Sequence, residues 1–194
     1  MIFEEYGDNR SGKTLLEALF AWIAVNRGKT VFCNCPMNPM TQQRDHILNF
    51  PHIDYDPSGL FNYNLKDAHV ITDEGELYMD SAFRTKAVRN LYLFGYQARK
   101  RDVDWHYTTV RIKNIDLRVR LNPDFAIQTI RFPKDYRKPL IAIKMIVTPR
   151  YGGKDHTIWL RHPERFFPLY NHGVMVIPPV ETVRAITPTP NVKA

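Results

Sequence analysis

Gly7-Asp8-Asn9-Arg10-Ser11-Gly12-Lys13-Thr14 sets a glycine, four variable residues and then Gly-Lys-Thr between two short apolar runs. Residues 2–6 alternate apolar or aromatic side chains and read as a strand, while Leu15, Leu16, Leu19, Phe20 and Ile23 recur at helical spacing. A strand, a glycine loop and a helix in that order place backbone N–H groups around an anion at the positive end of the helix. In such a loop Lys13 reaches the β- and γ-phosphates of a nucleotide, and the Thr14 hydroxyl is a ligand for Mg²⁺. Gly7, Asp8, Asn9, Arg10, Ser11 and Gly12 complete the cradle, with Arg10 at a variable position that suits a solvated loop charge.

A second motif supports the first. His69-Val70-Ile71-Thr72-Asp73-Glu74 is a buried-type strand that ends in two acids about sixty residues after the lysine. That gap leaves room for intervening strands, and the pair has the form of a Walker B segment to match the Walker A pattern of residues 7–14. Asp73 is expected to hold the Mg²⁺ shell, and Glu74 to polarise the attacking water, which needs a carboxylate near the γ-phosphate rather than on the metal. Glu76 and Asp80 read as surface acids.

Composition narrows the class. Hydrophobic residues at 44% and charged residues at 24% exclude a disordered or fibrous chain. A formal charge of +7 and a pI near 9.4 favour a polyanionic partner. Cys33 and Cys35 are too few for a disulfide framework and lack zinc spacing, so a reducing, intracellular setting is expected. The seven histidines do not pair with other ligands at metal-binding spacing. The apolar run 15–25 contains Glu17 and is too short to span a bilayer, and no signal peptide is expected before the first strand.

Further along, Gly28 stops the first helix and 30–33 reads as a strand that enters the Pro- and Asn-rich turn 34–39. Residues 41–49 read as a helix, 51–64 as a surface wrap, 82–101 as a helix with a basic far face, and 105–110 as a strand. Strands at 125–132, 140–148 and 157–161 follow, the last two as a hairpin. Trp22, Trp105 and Trp159 are expected to pack in the core. The fold class is therefore α/β: a mostly parallel central sheet flanked by helices, with an antiparallel C-terminal β extension. Residues 1–132 form the core, 133–180 the β-rich extension of the same domain, and 181–194 a loose tail.

Together the Walker A loop, Asp73-Glu74, Gln97-Ala98-Arg99-Lys100-Arg101 and the strand 105–110 resemble a P-loop viral motor ATPase of the FtsK/HerA type. Genome-packaging NTPases of archaeal viruses and zonula occludens toxin-like phage assembly ATPases are similar in style. Gly28-Lys29-Thr30-Val31-Phe32-Cys33-Asn34 and Ile115-Asp116-Leu117-Arg118-Val119-Arg120-Leu121-Asn122 extend the likeness. The resemblance implies ATP and Mg²⁺ as cofactors, Lys13 and Glu74 as catalytic groups, and hydrolysis coupled to translocation of double-stranded DNA into a capsid. It also implies a homo-oligomeric ring in the host cytoplasm, at a capsid or portal vertex or with the virion, and non-specific phosphate contacts to DNA. A neighbouring subunit would donate an arginine, for which Arg99, Arg101, Arg118 and Arg120 are candidates. Such motors carry a sensing glutamine after the threonines of the later strand; this chain has Thr108-Thr109-Val110, which makes Thr109 the candidate sensor. Alternatives are a filamentous-phage-type assembly ATPase, a small P-loop nucleoside kinase of the thymidine kinase kind, disfavoured by the lack of cysteines after Cys35, and a nucleotide-binding scaffold without turnover.

Overall fold

The computed structural model describes residues 1–34, 48–82 and 85–171. Eight strands form one sheet: β1 (Ile2–Tyr6), β2 (Thr30–Cys33), β3 (Ile53–Asp54), β4 (Ala68–Thr72), β5 (Asp104–Thr109), β6 (Phe125–Phe132), β7 (Ala142–Pro149) and β8 (His156–Arg161). Their spatial order is β3-β2-β4-β5-β1-β6-β7-β8. The six strands from β3 to β6 are parallel, whereas β6, β7 and β8 are antiparallel. The mixed α/β sheet expected from the sequence is thus present.

β1 lies in the middle, between β5 and β6, so both its faces are covered, and even Glu4 and Glu5 are fully buried. β4 is not next to β1, because β5 is inserted between them. The ends of β1, β4 and β5 therefore open on the same side, and the loops that follow them meet there.

Helix α1 (Lys13–Asn26) packs on this sheet in two ways. Ala18, Ala21 and Ala24 join the main core with Val31, Val70 and Trp105, their small side chains letting the helix lie close. Leu15 and Leu16 instead join Ile127, Ile143 and Met145, a second cluster supplied by β6 and β7. The sequence pattern around Leu15, Leu16 and Leu19 thus marks two faces rather than one. Trp22, expected in the core, is 43% exposed because the alanine stripe, not the bulky positions, meets the sheet. Trp159 is also exposed, on edge strand β8, with its ring edge-on to Phe132. Trp105 is buried and donates to Thr72 Oγ1 at 2.9 Å.

Gly75 precedes the short helix α2 (Glu76–Met79), and α3 (Lys86–Ala98) starts later than the expected residue 82, capped by Thr85 Oγ1, which accepts from Val88 N. The basic run Arg99–Arg101 forms a 3-10 turn at its end. Residues 117–120 form a helical turn, α4 (Leu117–Arg120), with Asp116 at its N-cap. The expected surface wrap contains the 3-10 segment Pro57–Asn62, with Leu60 buried under α3. The expected helix at 41–49 falls mostly outside the described residues, as does the tail at 181–194.

Candidate functional site

The loop 7–14 leaves β1 and enters α1. Gly7 has a positive φ, and a Cβ there would lie 2.4 Å from the Thr129 carbonyl oxygen; Ser11 Oγ and Thr129 Oγ1 are paired at 2.7 Å beneath the loop. The cradle is thus pressed against β6, and only a residue without a side chain fits. Gly12 caps the helix with φ of 100°. Arg10 holds a positive φ as well, an unusual state for a residue with a side chain. Lys13 Nζ folds back across the loop and donates to Gly7 O at 2.8 Å and Asp8 O at 3.1 Å. Burial lowers its pKa, and nearby Asp73 opposes that effect.

Asp73 arrives from the end of β4, and Thr14 Oγ1 donates to its Oδ2 at 3.2 Å. Two oxygens of the kind that bind hard divalent cations therefore face each other beside the loop that suits phosphates. Asp73 is held from three further directions. Asn34, at the end of β2, exchanges reciprocal bonds with the Asp73 backbone, at 2.9 Å to its carbonyl and 2.8 Å from its N–H. Thr108, from β5, donates to Asp73 Oδ1 at 2.6 Å and accepts from Glu74 N at 2.8 Å. Glu74 N also donates to Asp73 Oδ1 at 3.1 Å. Burial raises the Asp73 pKa against these bonds.

Glu74 is exposed at the rim with φ of 51°, a turn forced between β4 and Gly75. Partial burial, followed by the charges of Asp73 and Glu76, raises its pKa. Glu76, expected as a plain surface acid, accepts from Val110 N at 3.2 Å and ties α2 to the end of β5.

Thr109, the candidate sensor, turns away: its hydroxyl donates to Arg111 O at 3.1 Å, and Thr108 takes the place beside Asp73. Sequence reading also passed over Glu17. One turn beyond Thr14 on α1, it is 1% exposed, lies against Asp73, and neither carboxyl oxygen has a hydrogen-bond partner among the described residues. Burial, then the charges of Asp73 and Glu5, pushes its pKa well up. Glu5 is driven up in the same way, while burial drives His106 well down, so their 2.7 Å contact is a hydrogen bond between neutral groups. A glutamate three positions after Gly-Lys-Thr within an apolar run was the available signal for Glu17; nothing local marked Thr108.

The four candidate arginines are placed differently. Arg99 pairs with Asp124 at 2.6 Å and lies over the Tyr151 ring. Arg118 pairs with Asp116 at 2.9 Å and lies over the Tyr92 ring. Arg101 donates to the Tyr63 carbonyl, and Arg120 keeps a buried Nε without a partner among the described residues.

Lys13, Thr14, Asp73 and Glu74 line a cavity of about 650 Å³ together with Arg10, Gly12, Leu15, Leu140, Phe167, Tyr170 and Asn171. That volume suits a nucleotide-sized ligand. Among the described residues no cluster of three or more metal-ligating side chains suits a second metal, and no helix is long and apolar enough to cross a membrane.

No protein-family model and no curated protein sequence matches this chain. Solved structures do. The N-terminal domain of zonular occludens toxin from Neisseria meningitidis superposes with a TM-score of 0.57 at 13% identity, over 88% of this chain and 98% of that one. The genome packaging NTPase B204 from Sulfolobus turreted icosahedral virus 2, in complex with ATP-gammaS, gives 0.57 at 14% identity, over 80% and 95%. The ATPase domain of a third protein, a helicase, gives 0.59 at 10% identity, over 88% and 84%. The chain has the fold these three share, the P-loop NTPase fold.

Proposed function

We propose that this chain is an ATP-hydrolysing motor that translocates double-stranded DNA, working as a homo-oligomeric ring to package a viral genome. The observation that carries the reading is the meeting of Thr14 Oγ1 with the Asp73 carboxylate at 3.2 Å, which joins two motifs 59 residues apart into one site. The packaging NTPase and the toxin-type domain supply the functional parallels, and the charge of +7 supports a polyanionic track.

In this reading the amides of residues 7–14 wrap the phosphates, and the Lys13 ammonium leaves the Gly7 and Asp8 carbonyls to contact the β- and γ-phosphate oxygens. Thr14 and Asp73 hold Mg²⁺, whose chemistry when bound is to offset charge on the phosphate oxygens. Thr108 and Asn34 keep Asp73 aimed. Glu74 orients the attacking water and accepts its proton, a task its raised pKa favours. Thr108 takes over the sensing role, because its hydroxyl links Asp73 to the end of β5. Of the candidate trans arginines, Arg101 and Arg120 fit best, since Arg99 and Arg118 are paired with carboxylates. DNA phosphates would meet the basic surface that includes Arg99–Arg101, without base readout. Residence in the host cytoplasm, with docking at a capsid or portal vertex, follows from the packaging role.

A second reading, an assembly ATPase of the filamentous-phage kind, draws on the toxin-type domain that this chain covers almost entirely. The deciding experiment is ATP hydrolysis measured with and without double-stranded DNA across protein concentration. A packaging ring requires stimulation by DNA and specific activity that rises with concentration; a flat response to both refutes it. Glu74→Gln should retain ATP binding and stop turnover.

A further inference from the structure

The cavity beside Lys13 and Thr14 does not end at the phosphate loop. It continues past Leu15 to a wall made by Leu140, Phe167 and Tyr170, all from the C-terminal third of the chain and outside both nucleotide motifs. Phe167 lies in the 3-10 segment Pro163–Leu169, which packs on α1. Its end is tied down: Asn49 N donates to Leu169 O and Asn49 Nδ2 to Pro168 O, both at 2.9 Å, and Leu48 bridges to Tyr170.

Within this segment two adjacent phenylalanines part company. Phe166 packs against the cluster of Leu15, Leu16, Ile127 and Ile143, whereas Phe167 is 42% exposed and lines the cavity. An aromatic ring on an anchored segment, with apolar neighbours and an open face toward a phosphate cradle, matches the unlike ends of a nucleotide. One end needs amides and a cation, and the other needs a flat surface on which a base can leave water. We propose that Phe167, backed by Leu140 and Tyr170, is the stacking platform for the nucleoside base. This rests on the reading of residues 7–14 as the triphosphate cradle. The C-terminal β extension then has a binding role: β7 and the segment after β8 complete the nucleotide site.

The test compares two magnesium-bound probes on the full chain by calorimetry: adenosine 5′-(β,γ-imido)triphosphate, which has a base, and inorganic tripolyphosphate, which does not. Phe167→Ala should weaken nucleotide binding about tenfold, the size of a single base–aromatic stack, and leave tripolyphosphate binding unchanged. Phe167→Trp should retain wild-type nucleotide affinity, which separates loss of the ring from disturbance of the segment. The proposal is overturned if Phe167→Ala binds the nucleotide as the wild type does, if it weakens both probes equally, or if Phe167→Trp behaves like Phe167→Ala. Lys13→Ala reports separately on the cradle: unchanged binding of tripolyphosphate there would refute the phosphate reading, whatever Phe167 does.

Discussion

Replacing Thr108 by valine keeps its shape and removes its hydroxyl, which separates the two threonines at the end of β5. The Thr108 side chain is buried and makes two bonds, one to a carboxylate at 2.6 Å and one from the Glu74 amide at 2.8 Å. Bonds to charged groups contribute about 1.5–3 kcal/mol and neutral ones about 0.5–1.5, so Thr108→Val should lose roughly 2–4 kcal/mol of unfolding free energy. Thr109→Val forfeits a single neutral bond to Arg111 O, about 1 kcal/mol. The functional gap should be wider. Asp73 would keep Thr14 and the Glu74 amide but lose its shortest contact, and the loss of a partner that orients a metal ligand typically costs about 10–100-fold in metal affinity or activity. Denaturant unfolding, Mg²⁺ titration of nucleotide binding and steady-state hydrolysis would be measured on Thr108→Val, Thr108→Ser and Thr109→Val. Serine should restore most of the Mg²⁺ dependence. If Thr109→Val impairs Mg²⁺-dependent binding or turnover more than Thr108→Val, the assignment of Thr108 as the residue that aims Asp73 is wrong.

Other perturbations have equally definite outcomes. His69, packed at 4.6 Å from His106 and buried, has its pKa lowered to about 4 by desolvation. Between its unfolded value near 6.5 and about 4 the unfolded chain binds the extra proton, so this group removes stability as pH falls through that window, up to about 3 kcal/mol. The raised carboxyls of Glu5 and Glu17 act with the opposite sign, so the readout is the difference in unfolding free energy between wild type and His69→Gln at pH 7 and pH 4.5, which should shrink on acidification. A gap that stays constant with pH counts against a buried neutral His69. Gly7→Ala drives a methyl group into the Thr129 carbonyl and should cost roughly 1–3 kcal/mol together with nucleotide affinity; unchanged thermal unfolding would show that the loop is not pressed on β6 as described. Binding to double-stranded DNA should weaken steeply between 50 and 200 mM salt, by about 10³-fold or more if six phosphates are contacted, and should not depend on base sequence in competition assays. Salt-insensitive binding would argue against a track of phosphates.

Much of the molecule was legible because its signals are local. Residues 7–14 carry the glycines, the lysine and the hydroxyl of the cradle in one contiguous stretch, and the apolar run before Asp73 announces a buried strand with an acid at its tip. The antiparallel hairpin at the end of the sheet was visible from strand spacing and the Tyr151-Gly152-Gly153-Lys154 turn. The tryptophans misled, since size marks a candidate for burial but not the helix face or sheet edge on which it falls.

What the chain pattern could not settle was which strand lies between β1 and β4, and with which parity. β5 enters that gap in a register that sets Thr108 opposite Glu5 and Thr109 opposite Tyr6, and neighbouring side chains on a strand point to opposite faces. One hydroxyl therefore meets Asp73 while the next turns to the Arg111 carbonyl. Asn34, Glu17 and Phe167 reached the site in the same way, through pairings between distant segments. Cradle chemistry depends on groups a few residues apart, so the sequence specified it; the surroundings of Asp73 depend on strand order and pleat, which only long-range hydrogen bonding and packing decide.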